Sequence, residues 1–305
     1  MNRMWDNLVY PLITELKPKY IVEVGAERGT NTKSMLEYCK ENDGHLTSID
    51  PFPLFDVKSL KEKYGDKFEM IEDLSLNVLS DIRDYDLILL DGDHNWYTIY
   101  HELKAIESNF NQETFPFIIF HDISWPYARR DLYYNPDNIP KEFLNPCDKK
   151  GMYPGESKLR EHGGFNSSVH NAIEENTPKN GVLTGIEDFL KESEFKLTFK
   201  KLNALNGLGF MYKPNNKTDK LIHDIIWNSN ITGVMDEYFF KRIIDLQDNI
   251  NRMRIEKDKE IINLRNENKN LKANNKKLNK KQNEILSSKS WKMTKPFRTL
   301  KNKLF

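Results

Sequence analysis

The sequence predicts an α/β fold: a Rossmann-like, doubly wound, mostly parallel sheet that closes with an antiparallel hairpin and is followed by an α-helical extension. Three observations predict it. Short apolar runs ending in Gly or Asp alternate with helical stretches between residues 20 and 122. Those runs, at Val22 and Val24, Ile88 to Leu90, and Ile118 to Phe120, are close to continuous, as in strands covered by helices on both faces. Beyond residue 216 the chain turns rich in Lys and Asn, and residues 251–288 contain neither Gly nor Pro.

The first twenty residues place Met4, Leu8, Leu12 and Leu16 at helical spacing. They lack an uninterrupted apolar run or a small-residue cleavage site, so neither a signal peptide nor a membrane span is expected. Strands are expected at YIVEVG (20–25), HLTSID (45–50), KFEMIED (67–73), YDLILLDGD (85–93) and FPFIIFHD (115–122). A segment rich in Tyr, Pro and Gly (123–164) then reads as a lid or binding loop. The stretch 181–193 reads as a helix opened by a capping box, Thr184 to Glu187. Two last strands, 195–202 and 208–213, are joined by NALNG, too short for a parallel crossover, so the final strand is expected to be antiparallel.

The extension carries Ile243, Ile250, Leu264, Leu271, Leu278 and Ile285 on one seven-residue register, broken at Lys257. Its companion seam is mostly polar after Met253, which permits a coiled coil, and a homodimer through it, without strongly specifying either. The last residues, 289–305, interleave Lys289, Lys292, Lys295, Arg298, Lys301 and Lys303 with Trp291, Met293, Phe297, Leu300, Leu304 and Phe305. That pattern suits the inner face of a membrane or a protein partner. No nucleic-acid-binding motif accompanies it.

The domains expected are therefore 1–216 with its insertion at 123–164, a helical extension 217–288, and a basic tail 289–305. Charge supports the division: residues 1–216 hold 25 Lys/Arg against 35 Asp/Glu, and residues 217–305 hold 21 against 11. Only Cys39 and Cys147 are present, which excludes a disulfide framework or a CxxC metal site and fits a reducing cytoplasm.

Chemistry is expected where strands end. Glu23, Gly25 and Gly29 lie where the first strand opens into a helix, and the helix amides there favour an anionic group approaching past the glycines. The spacing is GxxxG, not the GxGxxG of dinucleotide binding, and an amino-acid carboxylate suits it better than a pyrophosphate. Asp50, at the end of the second strand, is placed to accept from ribose hydroxyls, and Asp73 with Ser75 follow the third strand near where an adenine edge would lie. Asp91, Gly92, Asp93 and His94 end the fourth strand, and His121 and Asp122 the fifth. Asp91 and Asp122, with His121 assisting, are candidate ligands for a hard divalent ion such as Mg²⁺. Asp93, and after it His94, is the candidate base for a substrate hydroxyl. Tyr127, Arg129, Arg130, Tyr133 and Tyr134 either line an acceptor site or pack the insertion.

With these residues identified, YIVEVGAERGTNT, LTSIDPFP, YDLILLDGDHNWY and FIIFHDISWPYARRDLYY resemble the class I S-adenosylmethionine-dependent methyltransferases grouped with the macrocin and sugar O-methyltransferases. The resemblance covers roughly residues 15–213. It implies that Glu23, Gly25, Gly29 and Asp50 hold S-adenosylmethionine, and that the DGD segment and the acid after it serve metal and base. The chain departs from the paired acids that metal-dependent members carry at the fifth strand's end, having His121 and Asp122. SWKMTKPFR resembles a terminal motif of glycosyltransferases and polysaccharide-assembly proteins, which implies a surface-glycan acceptor and a glycosyltransferase partner.

Two other readings compete with an O-methyltransferase. A nicotinamide-dependent oxidoreductase shares the Rossmann rhythm but is opposed by the missing GxGxxG and the lack of a Tyr-x-x-x-Lys pair after the fifth strand. A non-catalytic scaffold would make the coiled coil the working part of a glycan-assembly complex at the membrane.

Overall fold

The computed structural model describes residues 1–228, 231–294 and 298. Two units divide the chain, Met1–Met235 and Asp236–Phe305.

In the first unit, turns over Asn2–Met4 and Trp5–Val9 lead into α1 (Tyr10–Leu16), which ends at Lys17 in the left-handed conformation. There follow β1 (Tyr20–Val24), α2 (Thr30–Asn42), β2 (His45–Ile49), α3 (Val57–Tyr64), β3 (Phe68–Ile71), α4 (Ser75–Val78), β4 (Leu87–Leu90), α5 (Trp96–Asn109) and β5 (Phe117–His121). Local chemistry sets the helix starts: Asp56 caps α3 by accepting from Ser59 N, and Asn95 caps α5 by accepting from Thr98 N. After β5 come β6 (Leu132–Tyr133), β7 (Cys147–Asp148), β8 (His170–Ala172), α6 (Val182–Glu192), β9 (Thr198–Leu202), β10 (Leu208–Tyr212) and α7 (Asn216–Asn228). Helix α7 thus falls inside the first unit.

The main sheet runs β3-β2-β1-β4-β5-β10-β9. The pairs among β1 to β5 are parallel, and β10 is antiparallel to both β5 and β9, as the short NALNG turn requires. One face buries Val22, Val24, Ile88, Leu90, Ile118 and Phe120 against Ile99, Leu103 and Ile106 of α5 and Ile186 and Phe189 of α6. Each such side chain contributes about 1.5–3 kcal/mol by leaving water. Strand β9, at the sheet edge, exposes Lys200 and Lys201, charges that discourage another strand from pairing there.

The segment after β5 is built, not irregular. Strands β6, β8 and β7 form a second sheet, and Tyr127, Leu132 and Met152 make a small core with Leu159 and Val169. Arg130 is buried and donates to the carbonyls of Ala172, Ile173 and Ser157.

The capping box expected at Thr184 and Glu187 does not form. Helix α6 starts at Val182 behind Gly181, which places Thr184 inside its first turn. Both side chains turn instead to Arg129, which donates to Thr184 Oγ1 at 3.1 Å and to the two Glu187 oxygens at 2.7 and 2.8 Å. A bidentate guanidinium outcompetes a backbone amide for that carboxylate.

In the second unit, most of α8 (Ile231–Ser287) is exposed wherever its side chains are described. Ser288 caps a short α9 (Lys289–Met293), and Arg298 stacks on Trp291 with its guanidinium carbon 3.5 Å from the ring centroid. Of the basic tail, Lys295, Phe297, Leu300, Lys301, Lys303, Leu304 and Phe305 lie outside the described residues. No helix among the described residues is long and apolar enough to cross a membrane.

Candidate active site

The end of β1 is locked between the ends of β2 and β4. Gly25 donates to Ile49 O at 2.9 Å and takes φ +89°. A Cβ on it would lie 2.3 Å from the carbonyl oxygen of Asp91. Gly29, at φ +71°, faces the Phe55 ring, 2.8 Å from where its Cβ would be. The Cβ sides of both glycines are therefore filled by the protein itself, and what this turn offers a ligand is its amides at the start of α2.

Asp50 braces the same turn. Its Oδ2 accepts from Glu27 N at 2.7 Å and its Oδ1 from Phe52 N at 2.8 Å, leaving lone pairs on both oxygens for a further donor. Glu23 is buried. Its Oε2 accepts from Thr32 Oγ1 at 2.6 Å and Ser48 Oγ at 2.7 Å, while Oε1 has no partner among the described residues. Burial pushes the Glu23 carboxyl up to about 7 against the pull of the two hydroxyls. A buried, unpartnered oxygen beside an anion-favouring turn fits the ammonium and carboxylate of an amino-acid moiety.

The ends of β4 and β5 bring four predicted residues together. His121 Nδ1 lies 2.9 Å from Asp91 Oδ1 and 2.8 Å from Asp122 Oδ2. His94 Nε2 lies 3.0 Å from Asp122 Oδ2 and 3.7 Å from Asp91 Oδ1. The Met1 ammonium is 3.3 Å from Asp91 Oδ2. Burial, the largest single influence, would raise both carboxyls, yet the charges and hydrogen bonds of His121 and His94, joined at Asp91 by the Met1 ammonium, together outweigh it and hold Asp91 and Asp122 well below the ordinary range. Reciprocally, burial acts to lower His121, but Asp91 and Asp122 raise it to about 9, and Asp122 raises His94 in the same way. Asp91, His121 and Asp122 each offer one ligand atom, all within 4.8 Å of one another. Two carboxylates with an imidazole suit a divalent cation, and the imidazole favours first-row transition ions over Mg²⁺.

Sequence reasoning missed two residues that shape this cluster. Asn206, in the β9–β10 turn, donates from Nδ2 to Asp122 Oδ1 at 3.0 Å. Its only sequence signal is the Asn206-Gly207 pair, which reads as a turn and nothing more. Asp131 is the second: its Oδ1 accepts from Trp96 N at 2.7 Å and Gly181 N at 2.6 Å. Its Oδ2 accepts from Tyr133 Oη at 2.7 Å and Asn145 Nδ2 at 2.8 Å. Beside it Leu132 N donates to His94 O at 3.0 Å, so the insertion holds the backbone that carries His94.

The remaining candidates divide. The His94 ring stacks on Tyr127, centroids 5.5 Å apart and planes 18° apart, and Tyr134 stands 6.1 Å away. Arg129, Arg130 and Tyr133 are engaged within the insertion and α6, so of the five residues considered for an acceptor site only Tyr127 and Tyr134 border the cluster. Asp93 accepts from Thr98 Oγ1 at 3.2 Å, and its other oxygen is buried without a partner among the described residues. Asp73 accepts from Leu74 N and Asn77 Nδ2 at the start of α4. Ser75 donates to Glu102 Oε1 at 2.5 Å, and burial pushes that carboxyl up to about 8. Both residues considered for an adenine edge thus have local partners.

A family described as a methyltransferase domain matches residues 22–123. No curated protein matches the sequence. Among solved structures, the chain is similar to the methyltransferase PaMTH1 of Podospora anserina, bound to S-adenosylhomocysteine. Identity is 17%, 68% of this chain and 77% of that one are covered, and the TM-score is 0.41. It is also similar to the 1,6-didemethyltoxoflavin-N1-methyltransferase of Burkholderia thailandensis, at 13% identity, with 66% and 72% covered and a TM-score of 0.37. A methyltransferase from Geobacter sulfurreducens aligns at 10% identity over 67% and 75% of the chains, with a TM-score of 0.36.

Proposed function

We propose that the methyltransferase domain this chain carries is of the S-adenosylmethionine-dependent class I type and methylates a sugar hydroxyl, in the building of a surface polysaccharide or related glycan. One observation supports this most: Asp91 belongs to two sites at once. Its backbone carbonyl abuts Gly25 in the turn suited to the donor, and its side chain belongs to the Asp91-His94-His121-Asp122 cluster suited to a hydroxyl.

In this reading the turn amides and the free oxygen of Glu23 hold the amino-acid part of the donor, and Asp50 accepts from its ribose. Bound there, the donor supplies an electrophilic methyl on a sulfonium that leaves as a neutral thioether. A divalent cation held by Asp91, His121 and Asp122 would supply Lewis-acid charge that makes a nearby hydroxyl more acidic. Asp93 takes the hydroxyl proton through its unbonded oxygen, while His94, which Asp122 holds protonated, lies between Asp122 and Tyr127 and steadies the oxygen that the proton leaves. Tyr127 and Tyr134 offer aromatic faces to a sugar, and alignment of hydroxyl and methyl contributes much of the rate. The basic tail suits a cytoplasmic protein held at the inner face of the membrane or on a glycosyltransferase.

Calorimetric titration of S-adenosylhomocysteine, with Mn²⁺ or Mg²⁺ and again with a chelator, tests the donor assignment. Binding is expected in wild type and Asp93→Ala and lost in Asp50→Ala, and Asp93→Ala is expected to lose turnover on any acceptor found. Absence of binding under every condition would reject the enzyme reading and favour a scaffold.

A further inference from the structure

Helix α8 leaves an apolar seam uncovered, with Leu264, Leu271, Leu278 and Ile285 all more than half exposed. Spaced by seven, these four occupy one core position of a heptad, conventionally d. The a positions between them are then Ile261, Asn268, Asn275 and Gln282. The polar companion seam is thus mainly asparagine, the residue that at a sets register and restricts association to two strands.

We propose that residues 258–288 pair with the same segment of a second copy as a parallel, in-register, two-stranded coiled coil. Charge supports this occupant. In a parallel pair each g residue meets the e residue five positions later on the partner helix. Here that sets Glu260 against Arg265 of the partner subunit and Glu267 against Lys272 of the partner subunit, opposite charges in both cases. Asn274 against Asn279 of the partner subunit completes the middle of the seam without repulsion. An antiparallel pair would instead face each a asparagine with a d leucine, stranding an amide in an apolar layer. Parallel pairing in register sets Asn268 and Asn275 each against its own copy, where one amide donates and the other accepts. The seam ends at Arg254 and Lys257, which occupy the next a and d positions towards the N-terminus.

Sedimentation equilibrium on the full chain is expected to give twice the 36.0 kDa chain mass. Leu271→Lys with Leu278→Lys is expected to weaken association at least about 100-fold, giving the single-chain mass, with the melting of the first unit unchanged. Register is read by Asn268→Cys in a Cys147→Ser background, which is expected to oxidise to a reducible covalent dimer, while Asn266→Cys on the outer face is not. Asn268→Leu with Asn275→Leu is expected to shift the mass above that of a dimer. A monomeric wild type at tens of micromolar would overturn the proposal, and so would a dimer that the Lys variants leave intact. A dimer that fails to cross-link through position 268 overturns the parallel, in-register arrangement.

Discussion

Asp131 is the most informative single residue to change. It is about 1% exposed and its two oxygens accept from two backbone amides, a tyrosine hydroxyl and an asparagine amide. Asp131→Ala leaves the Trp96 and Gly181 amides buried without an acceptor, at about 1–3 kcal/mol each. The Tyr133 and Asn145 donors are stranded as well, and water entering the space offsets part of the loss. A destabilisation of about 4 kcal/mol follows, and in a unit of 235 residues each kcal/mol moves the melting temperature by about 2–4 °C. Asp131→Ala should therefore melt roughly 8–16 °C lower. Asp131→Asn keeps an oxygen for both backbone amides but sets its NH2 against the donor of Asn145, so its loss should be about 1–2 kcal/mol. Circular dichroism melts of the three proteins at one pH measure this. An Ala variant melting within about 2 °C of wild type would refute the claim that Asp131 ties the insertion to α5.

Glu102 should shape the pH dependence of stability. Its carboxyl, at 4.5 by default, is raised to about 8 in the fold, so the folded chain keeps a proton that the unfolded chain has already released. The stability from this group is fully present below about pH 4.5 and is lost as pH rises through 8, on the order of 5 kcal/mol. Glu102→Gln should accordingly narrow the gap between melting temperatures at pH 5 and pH 9, and an unchanged gap would show that this carboxyl ionises freely. Gly25→Ala should cost more than about 3 kcal/mol, because its Cβ would overlap the Asp91 carbonyl at a backbone angle few side chains tolerate. Its melt and its loss of S-adenosylhomocysteine binding report on the same lock between β1 and β4. Asn206→Gly keeps the left-handed turn but removes the donor to Asp122, so a loss of about 2 kcal/mol isolates that hydrogen bond. Equal melting of Asn206→Gly and wild type would mean the bond contributes nothing.

Much of the architecture is legible in the sequence because it is set by local pattern. Continuous apolar runs can only be strands covered on both faces, and a five-residue link forces the last pair to be antiparallel. The residues at the ends of β4 and β5 can likewise be singled out, since parallel strands deliver their C-terminal ends to one edge of a sheet. The heptad of α8 belongs to the same class: the period alone identifies the seam.

What tertiary structure decided is how each polar side chain spends its hydrogen bonds. Thr184 and Glu187 carry a capping signature, yet Arg129, 55 positions from Thr184, takes both because a bidentate ion pair outweighs one amide. Asp131 lies in a stretch with no periodic signal, and nothing local says that its partners are Trp96, Gly181, Tyr133 and Asn145. Glycines 25 and 29 were legible as a turn, but whether ligand or protein fills the space beside them depended on where Asp91 and Phe55 came to rest. Apolar periodicity is a property of neighbours along the chain and is written in the sequence. The partner of a buried donor or acceptor is whatever the fold brings within about 3 Å, and only the assembled structure supplies it.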